Sequence, residues 1–175
     1  MRVLAVCGSL RAVSSNAALI EAARRLAPPD LEVLVYDGLG ALPLFNPDFD
    51  DDPPPNAKAW RDQVGAVDGL LICSPEYARG VAGAMKNALD WLVGSLDFAG
   101  KPVALLNASQ RSVHSDGQLR LILETMAARL IEPASVTIPL MGRGLDAAGI
   151  IADGQLSGEI RRALDAFALA IAARE

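Results

Sequence analysis

Short apolar runs alternate with amphipathic segments along almost the whole chain. The apolar runs predict β-strands at positions 2–7, 31–36, 68–73, 101–107 and 133–138. The spacing of apolar side chains predicts helices over 14–27, 56–67, 82–93, 114–130 and 155–174. Strands that alternate with helices are typical of a parallel sheet covered by helices on both faces. We therefore predict the α/β fold class, with a five-stranded parallel sheet in the order 2-1-3-4-5.

Length and charge narrow the kinds of protein that this chain can be. Its 175 residues suit a single domain spanning positions 1–175. A net charge of −5 argues against a nucleic-acid partner, because a phosphate backbone attracts a basic surface. No stretch approaches the ~20 apolar residues of a membrane span, so we expect no membrane partner.

The two cysteines indicate a reducing compartment. Cys7 and Cys73 lack the CxxC spacing of a zinc or redox motif, so we predict a reduced, cytoplasmic protein without a metal site. Because each cysteine ends one of two adjacent predicted strands, we expect the two thiols to be neighbours. His114, the single histidine, is expected at the surface or at a helix end rather than as a metal ligand.

The predicted strand order places a ligand site at one edge of the sheet. In open parallel sheets, ligands bind beyond the carboxyl ends of the strands, where the strand order reverses. In the order 2-1-3-4-5 that point lies between the first and third strands. The loops 8–16 and 74–82 should therefore form the site.

The first of these loops has the chemistry of an anion site. It reads GSLRAVSSN and leads from a buried strand into a helix, whose first N–H groups attract negative charge. Ser9, Ser14 and Ser15 add hydroxyl groups, Asn16 adds an amide, and Arg11 can hold a phosphate through two parallel hydrogen bonds. The glycine spacing of dinucleotide-binding and nucleotide-hydrolysing loops is absent. A polar turn with a solvated Arg11 is the alternative.

Three segments resemble a known family. GSLRAVSSN (8–16) and SPEYARGVAGAMKNALDW (74–91), with a weaker third segment LLNASQRSVHSDGQLRLIL (105–123), resemble the NAD(P)H-dependent FMN reductases. This family includes quinone, chromate and azo-dye reductases. The resemblance implies a flavodoxin-like three-layer sandwich, FMN as the cofactor, and NADPH or NADH as the electron donor.

The resemblance also implies which residues hold FMN. Those of the first loop would surround its phosphate: Ser9, Arg11, Ser14, Ser15 and Asn16. Those of the second would lie along the isoalloxazine ring: Pro75, Glu76, Tyr77 and Gly80. In the third segment, Ser109 is the candidate cofactor contact.

The chain departs from the family's pattern at three places. The family usually has Asn where this chain has Ala78, and Pro where it has Ala82. Many members carry a Pro-Gly turn where this chain has Ser109-Gln110-Arg111.

Three functions are compatible with these features. The first is an FMN-dependent NAD(P)H oxidoreductase, which passes hydride from nicotinamide through FMN to a quinone, azo dye, metal oxyanion or free flavin, with no catalytic side chain needed. The second is a flavodoxin-type electron carrier without a nicotinamide site. Arg11 in the first loop and the scarcity of aromatic residues favour the enzyme. The third is a non-catalytic nucleotide-binding or interaction module, which a purified protein that is colourless and unable to bind FMN would support.

The helix predicted at 82–93 suggests self-association. Its apolar residues surround most of its circumference, which exceeds what packing on one sheet face needs. We therefore predict a homodimer, or a homotetramer, with Trp91 at or beside the interface. The alternative is that Trp91 packs beneath the loop 37–55 of its own chain.

Overall fold

The computed structural model describes residues 1–173, and alternating strands and helices occupy most of them. In chain order these elements are β1 (Arg2–Cys7), α1 (Ser15–Leu26), β2 (Glu32–Tyr36), α2 (Pro55–Gly65), β3 (Gly69–Cys73), β4 (Glu76–Tyr77), β5 (Gly80–Val81), α3 (Gly83–Asp90), β6 (Pro102–Asn107), α4 (Val113–Thr125), β7 (Arg129–Leu130), β8 (Val136–Thr137), α5 (Ala147–Ala152) and α6 (Gly154–Ala172). The last predicted helix begins as expected, but Arg174 lies outside the described residues.

The main sheet is parallel, and its order is β2-β1-β3-β6 with β7 and β8 beyond β6. Val3 of β1 pairs with Val33 on one side and Gly69 on the other. The predicted fold class and strand order are therefore confirmed. The carboxyl ends of β1 and β3 lie side by side, as a ligand site between the first two loops requires.

Both faces of the sheet are covered by helices. Side chains of β3 alternate between them, so that Leu71 and Cys73 pack toward α1, α5 and α6. Leu70 and Ile72 pack toward α2, α3 and α4. This arrangement makes the predicted three layers. No helix within residues 1–173 combines the length and apolar character of a membrane span.

The fifth predicted strand, 133–138, is wrong in its extent. Two short strands, β7 and β8, pair with successive halves of β6, and a 3-10 turn over Glu132–Ala134 separates them. Pro133 in that turn has no N–H to donate to a sheet. The Ser135 hydroxyl bridges the gap, accepting from the Leu105 N–H at 3.1 Å.

Two helical predictions also need correction. The helix predicted at 114–130 ends at Thr125, because Ala127 adopts a left-handed conformation with φ of 58°. The Ala128 N–H then closes the helix end on the Leu123 carbonyl at 2.9 Å. A further helix, α5, forms where no helix was predicted, with Asp146 as its N-cap.

Trp91 is completely buried in its own chain, so its predicted place at a dimer interface is wrong. Its indole Nε1 donates to the Pro43 carbonyl at 2.8 Å, and its ring meets Phe45 edge-on at 5.1 Å. The Arg61 guanidinium lies 5.6 Å from the ring centroid. The loop 37–55 therefore covers Trp91, as the alternative held.

Candidate functional site

A cavity of about 260 Å³ opens at the carboxyl edge of the sheet. It is lined by Ser9, Arg11, Ser14, Ser15, Asn16, Pro75, Glu76, Tyr77, Ala108, Ser109, Ser112, Met141 and Gly142. Three loops meet there, following β1, β3 and β6. The cavity thus lies where the strand order predicted a ligand site.

All but one of the predicted site residues line this cavity. The exception is Gly80, which lies in β5 and does not reach the cavity wall. A side chain at position 80 would point toward Gln118, whose Oε1 lies 3.4 Å from the place of a Cβ atom. Ala108, Ser112, Met141 and Gly142 also line the cavity and were not predicted. Met141 and Gly142 come from a turn beyond the third motif segment, which ends at position 123, and no sequence pattern marks a site there.

The first loop is ordered by hydrogen bonds to its own serines. Ser14 is the N-cap of α1 and accepts from the Ala17 N–H at 3.4 Å. Ser9 accepts from the Arg11 N–H at 3.5 Å. The Arg11 side chain is exposed and has no hydrogen-bond or ion-pair partner within residues 1–173. This loop therefore presents a positive charge without a protein counter-ion.

The first and second loops touch at Gly8. Its N–H donates to the Cys73 carbonyl at 2.8 Å, which extends the pairing of β1 with β3 by one residue. A Cβ atom at position 8 would lie 2.9 Å from the Ser74 Cβ and 3.1 Å from its Cα. Only glycine allows this approach, so Gly8 fixes the spacing of the two loops.

The cysteines lie directly below the first loop. Cys7 and Cys73 are register partners in β1 and β3, which confirms their predicted proximity, and both are free thiols. The Cys73 thiol donates to Oδ1 of Asn16 at 3.2 Å and so orients a residue that lines the cavity. Burial raises the pKa of both thiols, most strongly that of Cys73.

The second loop is a small hairpin formed by β4 and β5. Glu76 pairs with Val81, and Tyr77 pairs with Gly80. The two residues of the turn have positive φ, 49° for Ala78 and 60° for Arg79. This is the pattern of a type I′ turn, which favours Asn and Gly. The hairpin was not predicted, because two-residue strands produce no visible alternation.

Glu76 holds the hairpin against α4. Its carboxylate Oε2 accepts from the backbone N–H groups of His114 and Ser115, at 2.9 and 3.0 Å. These are among the first N–H groups of the helix, which lack intrahelical acceptors. The Ser115 hydroxyl donates to the Pro75 carbonyl at 3.3 Å. Glu76 lines the cavity, but its carboxylate acts as a helix cap.

Gln118 of α4 makes a second clasp on the hairpin. Its Nε2 donates to the Arg79 carbonyl at 3.1 Å, and its Oε1 accepts from the Val81 N–H at 3.2 Å. Sequence reasoning missed this residue. A glutamine on a helix can make many kinds of contact. Its contact with a hairpin that lies almost forty residues earlier in the chain depends on the tertiary fold.

The third loop is ordered by its own polar groups. Oδ1 of Asn107 accepts from the Ser109 N–H at 2.9 Å, and the Ser109 hydroxyl accepts from the Arg111 N–H at 3.1 Å. Both are local turns of the kind that Asn and Ser favour. They bring Ser109 to the cavity wall and leave the Arg111 side chain exposed.

The chain matches one family over most of its length. The profile of the NADPH-dependent FMN reductase family matches residues 1–141. A 2-hydroxy-1,4-benzoquinone reductase from a Burkholderia species is 42% identical over 112 residues, covering 62% of this chain and 61% of that protein. An NAD(P)H-dependent FMN reductase from Pseudomonas aeruginosa is 33% identical, covering 97% of this chain and 94% of that protein.

A solved structure supports the same relationship. The NAD(P)H:(acceptor) flavoenzyme oxidoreductase from Paracoccus denitrificans superposes with a TM-score of 0.76 at 25% sequence identity. The superposition covers 96% of this chain and 97% of that one.

Proposed function

Because the chain belongs to the NADPH-dependent FMN reductase family, we propose that it oxidises NAD(P)H through bound FMN and reduces a quinone. The predicted family, enzyme class and cofactor are confirmed by this membership. The single observation that carries the proposal is the cavity, which collects the motif residues of all three loops at the switch point of the sheet.

The donor groups of the first loop fit the phosphate of FMN. Within residues 1–173, the N–H groups of Ser15 and Asn16 have no protein acceptor, as expected at the start of α1. The Arg11 guanidinium and the Ser9 hydroxyl stand beside them at the cavity. Hydrogen-bond donors, a helix N-terminus and an unpaired cation together suit a phosphate dianion.

The second loop provides a fixed wall for a flat ring. Pro75 and Tyr77 line the cavity, and Tyr77 is half exposed. Hydrogen bonds to Glu76 and from Gln118 fix the hairpin to α4, so this wall is formed before a ligand enters. Such rigidity favours binding, because less freedom is lost on complex formation.

The chain itself binds and orients the reactants. Bound FMN would supply the redox chemistry, which is the net transfer of a hydride from the nicotinamide to the quinone, with one further proton taken from solvent to complete the hydroquinone. Arg11 and the start of α1 would hold its phosphate end, and the hairpin would limit how the ring can lie. No side chain of the cavity is assigned a proton transfer.

Quinones are the proposed acceptor class. The support is the name of the Burkholderia relative, which reduces a hydroxylated benzoquinone. Azo dyes, metal oxyanions and free flavin are competing acceptors from the same family resemblance.

Steady-state turnover tests the proposed function. Protein reconstituted with FMN should oxidise NADH or NADPH in the presence of a benzoquinone. Protein that binds FMN without accepting electrons from either nicotinamide would instead be an electron carrier. Protein that fails to bind FMN would contradict the proposal altogether.

The proposed assembly is a homodimer, with a homotetramer as the larger alternative. Its support is four exposed apolar side chains on two adjacent segments, the loop 37–55 and the turn after α3: Leu44, Phe49, Val93 and Leu96. Leu44 is 85% exposed and Leu96 is 93% exposed. Several large exposed apolar side chains on adjacent segments suit a contact between chains. We call this set the loop–helix surface.

The proposed compartment is the cytoplasm. Both cysteines are free although they are register partners in adjacent strands. Free thiols at such close positions suit a reducing environment.

A further inference from the structure

The basic side chains of this acidic protein are mostly paired. Examples are Lys86 with Asp90, Arg120 with Asp116, and Arg143 with Asp153. Within residues 1–173, the arginine side chains without a hydrogen bond or ion pair are Arg11, Arg79, Arg111, Arg161 and Arg162. The first three lie one on each of the loops that form the cavity.

Arg79 and Arg111 do not line the cavity, but each lies within two residues of a residue that does, Tyr77 for Arg79 and Ser112 for Arg111. Arg79 is at the tip of the hairpin, and its carbonyl is held by Gln118 of α4. Arg111 lies two residues before α4 begins, and both side chains are exposed. The helical stretch from Val113 to Gln118 rises only about 7.5 Å, so the two arginines flank one end of α4.

Nearby acidic groups leave these two charges uncompensated. Glu76 directs its carboxylate to the N–H groups of α4, and Asp116 is bound by Arg120. A net charge of −5 for the whole chain makes this concentration of free arginine a local feature. Unpaired arginines at the mouth of a site are suited to a phosphate-bearing ligand that extends out of it.

We propose that Arg79 and Arg111 form a second anion site, which binds a phosphate group of the dinucleotide donor. Arg11 is assigned to the FMN phosphate. Arg79 and Arg111, the outer pair, would therefore bind the nicotinamide donor, which enters and leaves in each catalytic cycle. The donor carries its phosphates away from the reactive nicotinamide, and these extend over the rim. This inference rests on the proposed function for the identity of the donor. The donor carries two kinds of phosphate group, the pyrophosphate and, in NADPH, the 2′-phosphate. Both are anions that an arginine side chain can bind.

The test compares Arg79→Gln, Arg111→Gln and the double variant with a matched control. Arg161→Gln removes an equally exposed, unpaired arginine on α6, remote from the cavity. Each single change in the outer pair should raise KM for the donor by about fivefold, with kcat and FMN affinity retained. Isothermal titration of the FMN-loaded protein with adenosine 2′,5′-diphosphate and with ADP measures the same site without turnover.

The outcomes separate the alternatives. Loss confined to NADPH and to adenosine 2′,5′-diphosphate assigns the 2′-phosphate, whereas equal loss with NADH and ADP assigns the pyrophosphate. Unchanged KM and unchanged binding of both probes in the double variant would overturn the proposal. Wild-type protein that binds FMN but oxidises neither nicotinamide would instead refute the proposed function, and titration with the two probes would still decide whether the arginines bind phosphate.

Discussion

Among residues 1–173, Arg11 is the one unpaired cation that lines the cavity itself. We expect Arg11→Ala to weaken FMN binding by about ten- to a hundredfold, corresponding to about 1.5–3 kcal/mol for a charge-assisted contact. The fold should be retained, because this side chain has no partner in residues 1–173. Fluorescence titration of FMN measures the effect, with Arg162→Ala on α6 as the control. Equal affinities in the two variants would remove Arg11 from the phosphate site.

The two thiols should be present but slow to react. Thiolate is the reactive form, and burial raises the pKa of both Cys7 and Cys73. At neutral pH the folded protein should therefore alkylate slowly with iodoacetamide. Denatured protein, purified without reductant, should show two free thiols. Recovery of none would mean that the pair had been oxidised, against the proposed reducing compartment.

At the scale of single residues, the motifs were the most informative part of the sequence. The position of Arg11 in the cavity followed from a polar loop after a buried strand. The contact between Glu76 and the start of α4 could not be predicted, because a carboxylate near a glycine-containing loop gives no sign of which helix it will cap. The burial of Trp91 likewise depends on a loop whose course the sequence leaves open.

Among the elements, the β4–β5 hairpin has a turn residue that is poorly suited to its backbone conformation. Ala78 occupies a left-handed conformation that costs a non-glycine residue about 1–2 kcal/mol and costs Asn less. Ala78→Asn should therefore stabilise the protein by about 0.5–1 kcal/mol and raise Tm by about 1–4 °C.

The control for this change is the same substitution in a helix. Ala59→Asn on the exposed face of α2 should lower Tm instead, because Asn is a poorer helix former than Ala. Differential scanning calorimetry on both variants gives the comparison. A lower Tm for Ala78→Asn would show that the turn does not limit stability.

Long elements were predicted well, and short ones were not. The first four strands and the main helices have the apolar spacing that sequence patterns reveal. The pieces β4, β5, β7 and β8 contain two residues each, which is too short for any period. β7 and β8 are strands because they pair with β6, not because of their own sequences. Pro133 lies in the turn between them, where the pairing at the sheet edge is interrupted.

For the whole molecule, the loop–helix surface makes the assembly testable. Sedimentation at tens of micromolar should give twice the monomer mass of 18.4 kDa for the FMN-loaded protein. Leu96→Ser should shift the mass toward the monomer, since it removes an apolar side chain that only a partner would bury. Leu169→Ser, at an exposed position of α6, is the control. A wild-type monomer would exclude the dimer, and a dimer unaffected by Leu96→Ser would place the interface elsewhere.

The overall architecture was accessible from the sequence because it depends on many residues at once. The alternation of apolar runs determines the three layers of the fold. Errors in the bounds of single strands or helices do not alter these layers. The surface between copies is different. The apolar residues of α3 that suggested a partner are buried in the core of their own chain. The loop–helix surface can be recognised only once the loop 37–55 is folded over Trp91.

The contact between Gly8 and Ser74 has a consequence for how such a site can evolve. A mutant library at position 8 alone would place a new side chain against Ser74 in every member, and the position would score as intolerant. Screening position 74 alone would not show that a smaller residue is needed there once position 8 carries a side chain. The two positions should therefore be varied together, and Ser74→Gly should rescue part of what Gly8→Ala loses. Natural lineages would have to cross the same barrier through a paired change.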